Sequence, residues 1–306
     1  MDLERRAFLR ACGAAAGAIM LPCGVTMAAP AKATPGPNTR GMLSDLTKCI
    51  GCGWCQQACK EWNDLPEVPT TSTGSEGNQA CLSADTWTLP ELHQVEQNGD
   101  LLQVFVKRQC MHCVNPACVS ACPVGALQKQ ENGAVTYDCK RCIGCRYCMV
   151  ACPFGIPKFE WDQPLPRIRK CTMCADRQEM GLEPACAAAC PTGALMFGNR
   201  EELIAEAEAR IQADPERYFP HIYGQKELGG TSWMYLSPVP FEELEFPTLK
   251  TEPVTELSEA VATFGTAGVA ASVTFLLGGL YYLFQRQERT IQLEEIADEQ
   301  EGEVES

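Results

Sequence analysis

The stretch Cys142-Ile-Gly-Cys-Arg-Tyr-Cys-Met-Val-Ala-Cys-Pro153 sets four cysteines at x2-x2-x3 spacing and ends on Cys-Pro. Three thiolates two residues apart lie on one tight loop, close enough to grip three corners of an iron–sulfur cube, while the fourth starts a separate turn. Proline after the fourth has no amide hydrogen and a fixed φ, so the chain leaves in a set direction. The pattern recurs on both sides. Cys49-x2-Cys52-x2-Cys55-x3-Cys59 and Cys110-x2-Cys113-x4-Cys118-x3-Cys122-Pro123 precede it, and Cys171-x2-Cys174-x11-Cys186-x3-Cys190-Pro191 follows. Sixteen of the twenty cysteines thus fall into four sets of four. In two-cluster ferredoxins the fourth cysteine of such a run ligates the other cluster. The amides of Ile50, Gly51, Gly53, Ile143 and Gly144 are candidates to point at sulfides, with glycine where the backbone must come close or take φ > 0.

Other chemistries fit less well. Zinc suits an isolated Cys-x2-Cys pair, and the wide fourth set alone is ambiguous, but zinc sites seldom use runs closed by Cys-Pro. Neighbouring cysteines in these runs are too crowded for a disulfide framework. A three-iron cluster in one set stays open, although each set supplies four thiols. Cys81 and Cys139 are left over and read as non-ligand thiols, Cys139 standing at x2 from Cys142. His93, His112 and His221 are scattered, and His112 between Cys110 and Cys113 reads as a satisfied loop residue or a hydrogen-bond donor to a cluster.

The remaining composition narrows the function class. The 306 residues are 45% hydrophobic, enough for a core, and carry a net charge of −14, which lacks the basic footprint of a nucleic-acid binder. There is no nucleophile elbow, zinc-protease helix, phosphate loop or dinucleotide fingerprint. Four clusters without a substrate site make an electron conductor, with no catalytic residue of its own. Four fully ligated cubes add roughly −8 in their oxidised form. Lys107, Arg108, Lys140, Arg141, Arg146, Arg167, Arg169 and Lys170 stand beside the cysteine runs to offset that charge, to dock partners, or simply as solvated surface.

Both ends are separate from this body. Residues 1–33 pair Arg5-Arg6 with Phe8-Leu9 and a mild, uncharged Ala/Gly-rich run, the pattern of a twin-arginine export signal, which carries already folded proteins. Cys12 and Cys23 leave with it. Ala260 to Phe284 is uncharged for 25 residues, and ~20 suffice to cross a bilayer. A transmembrane helix is therefore expected over 257–285. Thr263, Ala267 and Ala271 form a small-residue strip on it, and Arg286 and Arg289 follow. Positive-inside bias puts the acidic tail, 286–306, in the cytoplasm and the body on the periplasmic side.

The stretch Gln109-Cys-Met-His-Cys-Val-Asn-Pro-Ala-Cys-Val-Ser-Ala-Cys-Pro123, together with 142–153, resembles the four-cluster electron-transfer subunits of respiratory oxidoreductases. These include the beta subunits of formate dehydrogenase, dimethyl sulfoxide reductase and tetrathionate reductase. The two ends, with Phe197-Gly-Asn-Arg-Glu-Glu-Leu203 and Pro220-His-Ile-Tyr-Gly-Gln-Lys-Glu-Leu-Gly-Gly-Thr231, resemble the HybA-type subunits of membrane-bound nickel–iron hydrogenases. The resemblance implies exchanged ligand sets. Cys49, Cys52, Cys55 and Cys190 would share one [4Fe-4S] cube, and Cys59, Cys171, Cys174 and Cys186 a second. Cys110, Cys113, Cys118 and Cys152 would share a third, and Cys122, Cys142, Cys145 and Cys148 a fourth. It implies hydrogenase small and large subunits as partners on one side and an integral quinone-reactive membrane subunit on the other. The beta subunit of a molybdenum enzyme is the alternative within the class, and a zinc-binding structural module the alternative outside it.

The expected fold is α+β: two ferredoxin-like units in series over 42–200, with an insertion at 60–109. That insertion holds a Thr/Ser/Gly-rich loop at 70–78 and a hairpin turning at Asn98-Gly99. Asn199, with Glu202 three residues on, caps a helix whose Leu203, Ala207 and Ile211 share a face. Residues 201–256 are expected to continue as an extended segment along a partner, and protein without its clusters to fold poorly.

Overall fold

The computed structural model describes residues 35–67, 81–97, 99–255, 259 and 266–304, with side chains of the last stretch described over 268–291. The expected signal at 1–33, the loop at 70–78, Asn98 and Thr263 lie outside these residues. The chain forms two units, one holding residues 32–259 and the other the C-terminal stretch from Ala260.

The first unit mixes helix and strand. Strand β1 (Arg40–Asp45) is buried along almost its whole length, as expected of a strand covered on both faces. The short helix α1 (Trp54–Trp62) follows the first cysteines. Strands β2 (Leu89–Gln97) and β3 (Asp100–Arg108) pair antiparallel from Leu89↔Arg108 to Gln97↔Asp100. Gly99 at the turn has φ +87, so the expected hairpin is present in its expected place.

Short elements then carry the middle motifs. They are α2 (Ala117–Ser120), the antiparallel pair β4 (Leu127–Lys129) and β5 (Val135–Tyr137), and α3 (Tyr147–Ala151). The pair β6 (Lys158–Phe159) and β7 (Ile168–Arg169) leads to α4 (Ala175–Glu179) and α5 (Ala185–Ala188). Helix α1 packs on α5, and α2 on α3.

Strand β8 (Leu195–Asn199) pairs antiparallel with β1 and runs straight into α6 (Arg200–Ala213). The Asn199 side chain accepts from the amides of Glu201 and Glu202, the cap the sequence predicts. Leu203 and Ala207 are buried against Leu43, and Ile211 packs at their edge.

Residues 213–255 depart from the expected extended segment. Strand β9 (Trp233–Leu236) adds parallel to the far side of β1, giving a three-stranded sheet ordered β8-β1-β9. Tyr218, Ile222, Tyr223, Phe241, Leu244 and Phe246 are buried in the same cores. The physical reason is that Trp-Met-Tyr-Leu is apolar on both faces. Met234 and Leu236 pack towards α6, while Trp233 and Tyr235 pack on the opposite side with Met42. That opposite side is the back wall of the cysteine sites. The amides of Ser232 and Trp233 donate to the carbonyls of His112 and Met111, so this segment braces the second cysteine motif.

In the second unit the helix α7 (Thr266–Val304) contains Gly268–Ile291, long and apolar enough to cross a bilayer. It continues unbroken through the acidic tail.

Candidate iron–sulfur centres

One local geometry is shared by all four motifs. The second residue between the first two cysteines takes a left-handed backbone each time: Gly51 at φ +67, His112 at +48, Gly144 at +70 and Met173 at +55. This turn aims a loop amide at sulfur. The amides of Gly144 and Met173 donate to Cys142 Sγ and Cys171 Sγ, both at 3.4 Å, and the Gly51 amide acts on Cys49 in the same way. After each Cys-Pro a second repeat appears: Gly125, Gly155 and Gly193 stand at φ +60, +60 and +63. Each donates its amide back to the carbonyl of its own cysteine, turning the chain away from the site.

The loops bring twelve of the thiols into three pockets, each lined by cysteines of two motifs. One pocket is lined by Cys49, Cys52, Cys55 and Cys190. A second is lined by Cys59, Cys171, Cys174 and Cys186, and a third by Cys122, Cys142, Cys145 and Cys148. Cys110, Cys118 and Cys152 are all within electrostatic reach of the buried Cys113. Cys81 and Cys139 are exposed and line none of these three cavities.

The donor set decides what kind of group fits. Among the described residues no three His, Cys, Asp or Glu side chains converge tightly enough to hold one metal ion. Zinc draws its four ligands to within about 2.3 Å of one point, so these wider frames suit a polynuclear group. Burial pushes the thiols of Cys55, Cys59 and Cys118 up to about 12, and those of Cys174 and Cys148 to about 11. Thiols that resist ionisation this strongly become thiolates only beside strong positive charge, which bound iron supplies. Cys190 is the exception: burial raises it, but the amide of Leu195 and the hydroxyl and amide of Thr192 outweigh that and hold it below the usual range.

The basic residues divide. Lys107 and Lys170 are buried, Arg108 and Arg169 pair with Glu91 and Glu160, and Arg141 lies 3.5 Å from Asp138. Lys140 and Arg167 are solvated surface, while exposed Arg146 stacks over Phe159 and Trp161. His112 is fully buried and accepts the Val135 amide at Nδ1, but its Nε2 has no partner among the described residues. It is therefore half satisfied, not the satisfied loop residue expected. Lys129 was missed by the sequence reading. Its Nζ donates to the carbonyls of His112 and Gly133 beneath Cys110 and Cys113, and burial holds its pKa down at about 8. The available signal was its place two residues after Leu127, on the inward face of β4.

Known proteins match this frame. Residues 102–200 fit the family described as 4Fe-4S dicluster domain. A protein of Nitratidesulfovibrio vulgaris is 41% identical over 297 residues, 94% of this chain and 78% of that one. The hydrogenase-2 operon protein HybA of Escherichia coli O157:H7 is 38% identical over 284 residues, 81% of this chain and 84% of its own. The iron–sulfur subunit of nitrate-inducible formate dehydrogenase from Escherichia coli K12 is 43% identical over 197 residues, 63% of this chain and 66% of its own.

Proposed function

The chain belongs to the family of 4Fe-4S electron-transfer subunits of oxidoreductase complexes represented by HybA, and from that premise we propose that it holds four [4Fe-4S] clusters in the exchanged sets above. It serves as a membrane-anchored relay on the periplasmic side, between a hydrogenase catalytic dimer and a quinone-reactive membrane subunit. The observation that carries this reading is the lining of the cavities. In each of the three, three cysteines of one motif meet the fourth-position cysteine of another. When bound, each cube supplies a one-electron couple, and the protein supplies the spacing and the field around it.

The order of the sets supports a wire. Cys55 and Cys59 share α1, Cys171 feels the charge of Cys110, and Cys118 that of Cys148, so neighbouring sets run first, second, third, fourth. The packing of α1 on α5 and of α2 on α3 supports two ferredoxin-like units in series. Both outer sets lie beside exposed apolar side chains. Ile50 and Trp54 flank the first, and Ile143, Tyr147 and Val150 the fourth, as surfaces that meet partner subunits would. A hydrogenase partner is favoured over a molybdenum enzyme because HybA aligns with 81% of this chain and the formate dehydrogenase subunit with 63%. The paired arginines and α7 support export and a single-pass anchor with a cytoplasmic C-terminus.

Iron and sulfide analysis of the full chain, purified without air, tests the reading. About sixteen irons are expected; fewer than about ten, or stoichiometric zinc, overturns it. Capture of the native complex should then recover hydrogenase subunits, and recovery of a molybdenum enzyme instead transfers the chain to the formate dehydrogenase branch.

A further inference from the structure

Lys107 stands where two of the cysteine cavities meet. It is the penultimate residue of β3 and is buried, and it is the one residue common to the lining of the Cys49/Cys52/Cys55/Cys190 pocket and that of Cys59/Cys171/Cys174/Cys186. Its Nζ donates to Gln109 Oε1 at 3.0 Å and lies 4.2 Å from the centroid of the Trp233 ring. Gln109 Nε2 donates to the Tyr235 hydroxyl at 2.5 Å, and that hydroxyl donates to the Lys107 carbonyl at 2.7 Å. This closed ring of contacts fixes where the ammonium sits.

The ammonium is under-used by the protein itself. Among the described residues it has no carboxylate partner, and one hydrogen-bond acceptor for its three N–H groups. A buried, unpaired cation is costly, so the site calls for an anion. Lys170 and Lys129 differ, since each donates to two backbone carbonyls. The groups whose charge acts on Lys107 come from both sets: Cys55 on one side, Cys186 and Cys171 on the other.

We propose that the Lys107 ammonium is a counter-charge shared by the two clusters on either side of it, holding both reduction potentials up together. This rests on the proposed function above. Reduction adds one negative charge to a cube, and a fixed cation nearby stabilises the reduced form more than the oxidised one. A single buried lysine thus keeps two adjacent carriers close in potential.

The test is a redox titration followed by paramagnetic resonance on the full, cluster-loaded chain. Lys107→Met removes the charge and keeps an unbranched side chain. Two of the four midpoint potentials should fall, each by at least a tenfold change in the oxidised-to-reduced ratio at fixed potential, about 59 mV for one electron. The other two should stay, and Lys107→Arg should keep all four near wild type. Unmoved potentials, or four that move alike, overturn the proposal. If the Met variant does not load iron, Lys107→Gln is titrated in its place. If neither neutral variant loads while Lys107→Arg does, the clusters need a cation at this position, which supports the counter-charge. If Lys107→Arg also fails to load, side-chain shape is the cause and the proposal falls. The wild-type iron count separates the two readings. A wild type without four clusters defeats the proposed function, whereas a loaded wild type with unmoved potentials in the variant defeats this inference alone.

Discussion

A Cβ placed on Gly51 would lie 2.3 Å from the ring carbons of Phe105, so the first cysteine loop and strand β3 meet at a point where only hydrogen fits. The same motif position in the third set, Gly144, has its nearest ring atom, from Phe159, at 3.8 Å. Both glycines have positive φ, which costs any other L-residue about 1–2 kcal/mol. Gly144→Ala should therefore cost about that and no more. Gly51→Ala should cost a further ~1–3 kcal/mol of overpacking, and it should loosen the first cluster. Adding Phe105→Leu to Gly51→Ala should recover most of the difference. Urea unfolding with iron counts would show this, and equal costs at the two glycines would refute the steric argument.

These two glycines were legible in the sequence, and their counterparts were not. His112 and Met173 adopt the same left-handed backbone, but nothing in their identity announces it, because the surrounding loop imposes the conformation. The cysteine spacing carried the site because ligand geometry is local to each loop. Strand β9 was hidden for the opposite reason. Its partner β1 lies far earlier in the chain, Met42 pairing with Trp233, and a four-residue run buried on both faces has no alternation to betray it. Proline and glutamate around it read as an extended segment along a partner, whereas Phe241, Leu244 and Phe246 fold it back onto the body. Lys107 was noticed as a charge beside the cysteines; its burial between two sets is a tertiary fact.

The Arg108 guanidinium ties the hairpin to the turn at 241–246. Its Nε donates to Glu91 Oε2 at 2.9 Å, its Nη2 to the Leu244 carbonyl, and it stacks 4.2 Å from the centroid of Phe246. Burial raises the pKa of Glu91, but the contacts from His93 and Arg108 outweigh it and hold the carboxyl below the usual range. A depressed carboxylate gives stability that is present above its unfolded pKa, about 4.3, and lost as pH falls through the folded value. The stability difference between wild type and Glu91→Gln should thus be less than ~1 kcal/mol at pH 7, because the side chain is a third exposed, and should vanish in acid. Arg108→Ala, which also loses the stack and the carbonyl contact, should cost more at every pH. A difference that grows on acidification would reverse the sign and reject the assignment.

Residues 32–259 form a compact unit without α7. A chain stopped after Glu259 should fold, load iron and stay in the soluble fraction when expressed without partner subunits, while the full chain sediments with membranes. Cell fractionation with an iron assay on each fraction decides this. A full chain that remains soluble would remove the anchor.

Cys59 and Cys190 make opposite demands on the two candidate wirings. If each motif kept its own four thiols, Cys59 would serve the cube of Cys49, Cys52 and Cys55, and Cys190 that of Cys171, Cys174 and Cys186. The cavity linings place Cys190 with the first group and Cys59 with the second. Serine substitutions distinguish the two by signal matching. The resonance altered in Cys190→Ser should be the one altered in Cys52→Ser, and that altered in Cys59→Ser the one altered in Cys174→Ser. Because Cys190 lies near the surface and its thiol ionises more readily than usual, its substitution should leave the rest of the chain folded and the other three signals intact. Cys59 is buried beside Trp87 and Cys171, so its substitution should also lower thermal stability. A match between Cys190→Ser and Cys174→Ser would show that the motifs keep their own ligands, and the exchanged sets would be abandoned.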